Sequence, residues 1–493
     1  EEIIVTAEKR NASIQDVPIA ITAFSGEQLM NAGINNSADL EMVTPGLNFL
    51  SNAELGIVTI RGIGSPFIQG PGADASVAVY IDGVYQSRFT SAQVSLMDLE
   101  RVEVLKGPQG ILYGRNSPGG AVNFISKGPA NELGGKLSVE LGNYDQRKFQ
   151  GQVDIPLIED KLLMRAVLKR ETRDGFFENL LIPSDEIEEE DLFAGRITLQ
   201  YLPAEDLEIT LHAGISDREG GLLPGIKPVN VDPTSSIGGA TIIDDPRKVM
   251  SDQESYTAFK DEYVDLTVKW DLDWASLTSI SAYIDREVGP KTRDVDGTEL
   301  PVGHQGQLGV RNGPVVDTES FSQEFLLASR GERDLDWLVG LFYFHDNPYL
   351  KTGFDLPFFG FPFGGAEVQN TTDAYAIFGH VSYNLTDKFR LNAGLRYSYE
   401  EKEVTRSRFA DLGAAEFTTT AGPETVKSDW SSTTPKVGLD YFLNEDVMLY
   451  ASVSTGFKSD GFASGIGTKP LNEEIVDALE VGAKTTLFDG VVI

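Results

Sequence analysis

The sequence predicts an all-β fold: a transmembrane antiparallel barrel preceded by a small α+β N-terminal domain. Three features lead to this prediction: a repeated period-two alternation of apolar and polar residues, an alternation of short and long connections, and aromatic residues beside the short connections. No window approaches about 18 uncharged apolar residues, so we expect no transmembrane helix. Barrel strands give a weaker signal per segment and remain compatible with that finding.

The alternation begins near residue 134 and is clearest in Phe389–Glu400. Leu391 and Leu395 share one face of that segment, and Asn392 and Arg396 share the other. The same pattern recurs in Leu207–Ser216, in Val447–Val453 and in Tyr375–Leu385, where Phe378 is the exception. A soluble β-sandwich would alternate in the same way, so alternation alone leaves both architectures open.

The connections favour the membrane barrel, because outer-membrane barrels have short periplasmic turns and long extracellular loops. Short connections are Pro203–Asp206, Thr386–Lys388 and Asn444–Asp446. Long ones are expected at Asp217–Lys260, Val288–Val315, Asp346–Asn370, Glu401–Ser428 and Ser459–Glu474. Aromatic residues beside the short turns are expected to form a girdle at the lipid headgroups: Tyr201, Tyr383, Phe389, Tyr441, Phe442 and Tyr450.

Charge and composition exclude some functions. The chain of 493 residues has no cysteine and a formal net charge of −34, which disfavours binding to a phosphate backbone, so we expect no nucleic-acid partner. Residues 1–130 carry 8 Lys and Arg against 13 Asp and Glu, a net of −5, which leaves −29 on the remainder. The sequence has no G-x-S-x-G, H-E-x-x-H or Walker motif, so we predict no catalytic residues, no resident metal and no enzyme.

The most informative stretch is Leu99–Lys127, whose pattern predicts a strand, a glycine-rich turn region and a second strand. Its glycines permit tight turns and close backbone packing in a small sheet. The residue sequence of this stretch resembles the plug-domain signature of TonB-dependent outer-membrane receptors, which import scarce nutrients into Gram-negative bacteria. Ile60–Gly64 and Val79–Tyr85 match two further plug motifs in the family order, and Asp82-Gly83 is a strong hairpin turn by itself.

The resemblance implies a domain organisation: a TonB-box segment at residues 1–12, a plug at 13–130 inside the barrel lumen, and a barrel from 131 to 493. The motif residues of the plug are then Arg61, Gly62, Asp82, Gly83, Arg101, Lys106, Gly107, Arg115, Gly119 and Gly120. We identify 14 or 15 strand candidates before Ile493, whereas plugged transporters have about 22. We therefore expect the barrel to be incomplete at its C-terminus in this sequence.

The first residues resemble a TonB box, with Ile3, Ile4, Val5, Thr6 and Ala7 as its members. A short β-prone segment can add as a strand to a partner sheet, which is how such a box would bind TonB. The alternatives are a disordered terminus or a first strand of the plug.

In receptors of this family, plug arginines pair with barrel glutamates and hold the plug in place. The resemblance therefore makes Arg61, Arg101 and Arg115 the candidate plug partners, with Glu480 as the first candidate on the barrel and Glu324 as the second. Ordinary lumen-facing charge is the alternative for these residues, above all for Glu324.

The cargo is less well defined by the sequence. The resemblance implies TonB-dependent import, with TonB and the ExbB/ExbD complex as partners, lipopolysaccharide and outer-membrane lipid as surroundings, and a ferric siderophore as the first-choice ligand. Cobalamin, an oligosaccharide or an aromatic compound remain open as cargo, and a passive porin or structural surface barrel is the rival class.

A phenylalanine-rich run could form a wall over a ligand or pack on itself; its members are Phe354, Phe358, Phe359, Phe361 and Phe363. Asp294–Glu299 has partial Ca²⁺-loop spacing, although a plain turn fits it as well.

Overall fold

A computed structural model describes most of the chain. The described residues are 3–34, 36–52, 55–65, 74–87, 97–182, 187–221, 243, 245–251, 256–294, 304–306, 316–331, 334–356, 361–410, 418–459, 461–462 and 470–486. Within these ranges, no helix has the length and apolar character needed to cross a bilayer.

The residues before 131, called the plug below, form a small α+β unit. Its five-stranded sheet has the order β3-β8-β9-β6-β7, with β6 parallel to β9 and the other neighbours antiparallel. Those strands are β3 (Ile21–Ser25), β6 (Val77–Ile81), β7 (Val84–Tyr85), β8 (Leu99–Lys106) and β9 (Gly120–Ser126). Two hairpins and two short helices complete the plug: β1 (Ile4–Val5) with β2 (Ala12–Ser13), β4 (Leu47–Asn52) with β5 (Leu55–Ile60), α1 (Gly26–Asn31) and a 3₁₀ helix (Ala38–Met42).

The plug sheet is buried on both faces. Val102, Val104, Val122 and Phe124 belong to a core shared with α1 and the β4–β5 hairpin. The opposite face contributes residues such as Leu105 to a second core that also contains the N-terminal segment and barrel residues. One face of the sheet therefore forms the core of the plug, and the other packs the plug against the barrel.

Close backbone approach explains one glycine of the predicted motif. Gly120 begins β9 with a φ of +141°, and a Cβ atom there would lie 2.2 Å from the carbonyl oxygen of Leu105. Only glycine fits this position. Asp82 and Gly83, both with positive φ, join β6 to β7 as the hairpin prediction requires.

The remainder of the chain forms one large antiparallel sheet. Among the described residues, its path runs β10-β11-β12-β14-β15-β17-β18-β20-β21-β23-β24-β25-β26-β27, with β19 beside β18 and β22 beside β20 and β23. The strands are β10 (Gly134–Leu141), β11 (Arg147–Ile158), β12 (Leu162–Arg173), β14 (Glu190–Ala204), β15 (Leu207–Gly221), β17 (Tyr256–Asp271), β18 (Ala275–Asp294), β19 (His304–Gly306), β20 (Val316–Ser329), β21 (Leu335–Asp346), β22 (Tyr349–Leu356), β23 (Phe361–Thr386), β24 (Phe389–Ala410), β25 (Thr418–Asn444), β26 (Val447–Lys458) and β27 (Glu474–Thr485). A separate parallel pair joins β13 (Glu178–Asn179) to β16 (Lys248–Val249). The predicted fold class, a plug with an antiparallel barrel, is confirmed.

The predicted alternation sets the two faces of the barrel wall. On β24, Asn392 and Arg396 are buried and face the plug, whereas Leu395 and Tyr397 are about half exposed on the outer face. Phe378, the exception in its segment, faces inward because its ring packs over Gly340 and beneath the guanidinium of Arg396, which lies 4.8 Å from the ring centroid.

Two expectations about the barrel are corrected. Two of the expected long connections are largely strand rather than loop. Asp346–Asn370 contains β22 and the start of β23 at Phe361, and in Glu401–Ser428 β24 extends to Ala410 and β25 begins at Thr418.

Phe442 and Tyr450 do not join the outer girdle. Phe442 alternates with the outward-facing Tyr441 and lies on the inner face, 5.0 Å from the guanidinium of Arg390. Tyr450 is buried and donates to Glu480. Its neighbour Leu449 takes the outer face instead, as strict alternation demands.

Candidate functional site: the N-terminal segment and the plug–barrel contacts

The segment Ile3–Ala7, called the box segment below, is folded and largely buried. Its strand β1 pairs with β2, and Ile14 donates its backbone N–H to the carbonyl of Ile3 at 2.9 Å. Val5 and Ala7 have no exposed surface, whereas Ile4 is 43% exposed. The segment must therefore leave this packing before its edge can pair with another sheet.

A buried carboxylate holds the box segment. Glu103 at the centre of β8 has no exposed surface, and its Oε1 accepts from Thr6 N at 2.7 Å and from Thr6 Oγ1 at 3.1 Å. Arg101 Nε donates to the same oxygen at 2.8 Å. The ion pairs of Arg101 are thus with Glu103 and with Glu100, both in the plug, which differs from the expected pairing with a barrel glutamate.

A lysine just beyond the box segment reaches the barrel wall. Lys9 Nζ lies 3.1 Å from Glu324 Oε2, and both side chains are more than nine-tenths buried. Glu324, expected opposite a plug arginine, therefore faces a lysine. Arg10 adds an ion pair with Asp336 at 3.4 Å and a hydrogen bond to Ser329 at 3.2 Å.

The predicted pair of Arg61 and Glu480 is brought together by the structure. Arg61 Nη1 lies 3.3 Å from Glu480 Oε2, and the arginine side chain is 49% exposed. Glu480 Oε1 also accepts from the backbone N–H of Ala20 at 3.0 Å and from Tyr450 Oη at 2.8 Å. Glu480 thus holds the plug through Ala20 as well as Arg61, while Tyr450, a barrel residue on β26, orients the carboxylate.

Arg115 lies in a different ion cluster from the one expected. Its Nε and Nη2 donate to the two carboxylate oxygens of Glu400 on β24 at 3.0 and 2.7 Å, and Nη2 also lies 3.1 Å from Asp74 Oδ2. The cluster is completed by two barrel residues that donate to Asp74 Oδ2, Lys402 at 2.5 Å and Ser459 at 3.0 Å. The partner of Arg115 is therefore Glu400 and not Glu480 or Glu324.

This set of Asp74, Arg115, Glu400, Lys402 and Ser459 is called the upper cluster below. It lies towards the barrel end that carries the long connections, because Glu400 and Lys402 occupy the second half of β24. Burial raises the pKa of the Asp74 carboxyl, but Arg115 and Lys402 outweigh that effect and lower the pKa to about 2. The Asp74 carboxyl is therefore ionised, and the plug and the barrel are joined by one buried set of charges.

A further contact between plug and barrel, made by Asp98, was not expected from the sequence. Arg165 on β12 donates from Nε and Nη2 to the two oxygens of Asp98 at 2.6 and 2.7 Å, and from Nη1 to Asp154 at 2.5 Å. Arg196 on β14 donates to the Asp98 carbonyl at 3.1 Å. Asp98 directly precedes the signature strand β8, so these arginines fix the start of that strand against the wall.

The other motif residues support the plug itself. Lys106 Nζ donates to the carbonyl of Pro45 at 3.0 Å, and Gly107 donates its backbone N–H to Gly119 at 3.1 Å. Gly62 lies in a turn with a φ of +81°. Within the described residues, no group of three or more histidines and carboxylates is arranged to hold a metal ion.

The candidate ligand and calcium segments are described only in part. Phe354 lies on β22 and Phe361 and Phe363 lie on the paired strand β23, whereas Phe358 and Phe359 fall outside the described residues. The calcium candidate falls outside them too, except for Asp294.

Comparison with known proteins matches two family models. The TonB-dependent receptor plug domain matches residues 13–121, and the TonB-dependent receptor-like β-barrel matches residues 191–492.

Individual relatives extend the match to nearly the whole chain. The pesticin receptor of Yersinia pestis is 24% identical over 500 residues, which cover 99% of this chain and 68% of that protein. The catecholate siderophore receptor Fiu of Escherichia coli K12 is 31% identical over 169 residues, 34% of this chain and 21% of that receptor. The crystal structure of the ferric yersiniabactin uptake receptor FyuA from Yersinia pestis superposes with a TM-score of 0.80 at 22% identity, over 95% of this chain and 70% of that one.

Proposed function

The chain belongs to the TonB-dependent receptor family, a family of outer-membrane receptors and transporters, and from this premise we propose that it imports a ferric siderophore with energy supplied through TonB. The observation that carries the proposal is that 95% of the chain superposes on the crystal structure of a ferric yersiniabactin uptake receptor, and the match to the pesticin receptor extends over 99% of the chain. Relatives named for catecholate siderophore and ferric yersiniabactin support iron chelates as the cargo class.

The buried box segment supports a mechanism by population shift. In the structure the segment is held by Glu103, so TonB would bind only the minority of molecules in which those contacts have opened. Cargo that binds the open state better would raise that fraction. TonB, driven by ExbB and ExbD, would then pull on residues 1–12 and rearrange the plug of residues 13–130 within the barrel formed from residue 131 onward.

Cargo would enter from the end with the long connections, which in outer-membrane barrels is extracellular. An aromatic surface at that end includes Trp430, whose ring lies 6.0 Å from that of Phe462 and 5.6 Å from Lys402 Nζ. These rings would suit the aromatic groups of a phenolate or catecholate chelate. Lipopolysaccharide would surround the same end.

Growth under iron limitation tests this proposal. Cells that lack their own siderophore receptors would express the receptor and receive one purified ferric siderophore at a time: a catecholate, a phenolate, a hydroxamate or a citrate complex. We expect one class to restore growth and to bind the purified receptor. Failure of every iron chelate, with binding of cobalamin or an oligosaccharide instead, would overturn the siderophore assignment.

A further inference from the structure

Three buried tyrosines of the plug lie in a row between the upper cluster and the box segment. Tyr85 and Tyr80 have ring centroids 5.6 Å apart, and Tyr80 and Tyr113 have centroids 5.2 Å apart. Each of the three side chains is at most 3% exposed. This set is called the aromatic column below. Tyr80 Oη also donates to the Tyr113 carbonyl at 2.5 Å, which ties the last two members together.

A cation lies at each end of the aromatic column. The guanidinium of Arg115 lies 5.6 Å from the Tyr85 ring centroid. Lys9 Nζ lies 4.9 Å from the Tyr80 centroid and 5.3 Å from the Tyr113 centroid. All three distances are within the range in which a cation is attracted to an aromatic face, and burial strengthens that attraction.

Each of these cations is also paired with a barrel glutamate. Arg115 pairs with Glu400 near the end with long connections, and Lys9 pairs with Glu324 in the half of β20 that leads to a short turn. The two barrel carboxylates belong to one wall, whereas the column belongs to the plug. The aromatic column therefore connects the two plug–barrel ion pairs through contacting rings.

We propose that the aromatic column couples the upper cluster to the box segment, so that opening the Asp74 contacts loosens Lys9 from Glu324 and releases Val5–Ala7. The inference rests on the proposed function only for the biological role of the coupling, because the coupling itself requires neither cargo nor TonB. Its physical basis is that close-packed buried rings cannot move one at a time without leaving voids. Asp74 is placed to start the change because it binds both cations of the upper cluster.

A single thiol measures the release. The chain has no cysteine, so Val5→Cys places one thiol at a position without exposed surface, and its reaction with a maleimide reports how often the box segment opens. The full receptor in outer-membrane vesicles would be labelled without cargo. We expect Asp74→Asn to raise the labelling rate by about fivefold or more, because it removes one buried negative charge from between Arg115 and Lys402.

The column is tested by repeating this comparison with Tyr85→Leu. If the column carries the coupling, Asp74→Asn changes the labelling rate less than about twofold in the Tyr85→Leu protein, and Tyr85→Phe, which keeps the ring, restores the effect. If Tyr85→Leu does not assemble, Tyr85→Met replaces it. Phe124→Leu is the matched control: its ring is equally buried in the plug but lies in the core on the opposite face of the plug sheet, with α1 and the β4–β5 hairpin, so the Asp74→Asn effect should persist.

The proposal is overturned if the Asp74→Asn effect has the same size with and without the Tyr85 ring, or if Asp74→Asn leaves the labelling rate unchanged. Either result leaves the import function untouched, because no transport is measured. Conversely, a receptor that imports no siderophore could still show the coupling, so the two claims fail independently.

Discussion

Arg115 of the plug and Glu400 of the barrel form a two-point ion pair, with N–O distances of 3.0 and 2.7 Å, and both side chains are almost fully buried. The residues are 285 positions apart in the chain. A buried pair of this kind adds little net stability compared with apolar packing, but losing one partner leaves an uncompensated charge. The main effect of the pair is therefore to fix the position of the plug in the lumen, and its contribution to the stability of the protein is smaller.

Replacement of Arg115 by methionine should weaken the docking of the plug strongly. We expect a loss of about 3–5 kcal/mol, because Glu400 and Asp74 would be left buried with too few cations. Hydrogen–deuterium exchange of β6 and β9 in the solubilised receptor measures this as faster exchange.

The matched control for that experiment is Arg61→Met. Arg61 also pairs with a barrel glutamate, but its side chain is 49% exposed and its partner keeps two other donors. We expect a loss below about 1 kcal/mol. Equal effects of the two replacements would show that burial of the Arg115 pair has no special weight.

Two glycines of the plug motif should differ sharply on replacement by alanine. Both Gly120 and Gly62 have positive φ, so alanine is strained at either position. A Cβ at Gly120 would also lie 2.2 Å from the Leu105 carbonyl, whereas nothing lies within 4 Å of one at Gly62. Gly120→Ala should separate β8 from β9 and prevent folding of the plug, and Gly62→Ala should cost about 1 kcal/mol.

Protease resistance of the plug in intact cells checks this contrast. The prediction is wrong if Gly120→Ala is as resistant as Gly62→Ala, since the collision with Leu105 would then have no consequence.

The upper cluster should persist in moderately acidic conditions. The pKa of Asp74 in the folded protein, about 2, is below its ordinary value of 3.8, so ionised Asp74 stabilises the fold above about pH 4 and this contribution is lost as the pH falls through about 2. Infrared difference spectra between the receptor and Asp74→Asn should contain a carboxylate band at pH 5 that fades only near pH 2. A band that disappears between pH 4 and 5 would contradict the ion pairing with Arg115 and Lys402.

The barrel wall could be predicted from the sequence because its signal is local. On β24, polar Asn392 and Arg396 are buried and apolar Leu395 is exposed to the outside, as the period-two pattern indicates. Tyr450 was assigned to the girdle from its distance to a turn, although alternation with Leu449 places it on the inner face. The face of a strand is set by the phase of the pattern and not by nearness to a turn.

The ion pairs could be predicted only in part, because they depend on how deep and in which rotation the plug lies in the barrel. Resemblance indicated that Arg115 would have a barrel partner, but the choice of Glu400 follows from three-dimensional placement. Glu103 carried no local signal either. A glutamate flanked by Val102 and Val104 is typical of an exposed position on a strand. Its burial is compensated by the donors from Thr6 and Arg101 to Oε1, which sequence alone does not reveal.

Energised import through the box segment is the central claim, and a backbone change at Ile4 tests it with little disturbance. Ile4 is the exposed member of β1, and proline there removes a backbone donor needed for strand addition without entering the buried core. Ile4→Ala is the matched control, because it shortens the side chain and keeps the backbone N–H.

The most direct measurement is uptake of a ⁵⁵Fe-labelled siderophore that the purified receptor binds, in cells with and without TonB. We predict that Ile4→Ala imports iron only when TonB is present, whereas Ile4→Pro binds the siderophore with unchanged affinity and imports none. Import by Ile4→Pro at the rate of Ile4→Ala, or equal import without TonB, would contradict the account.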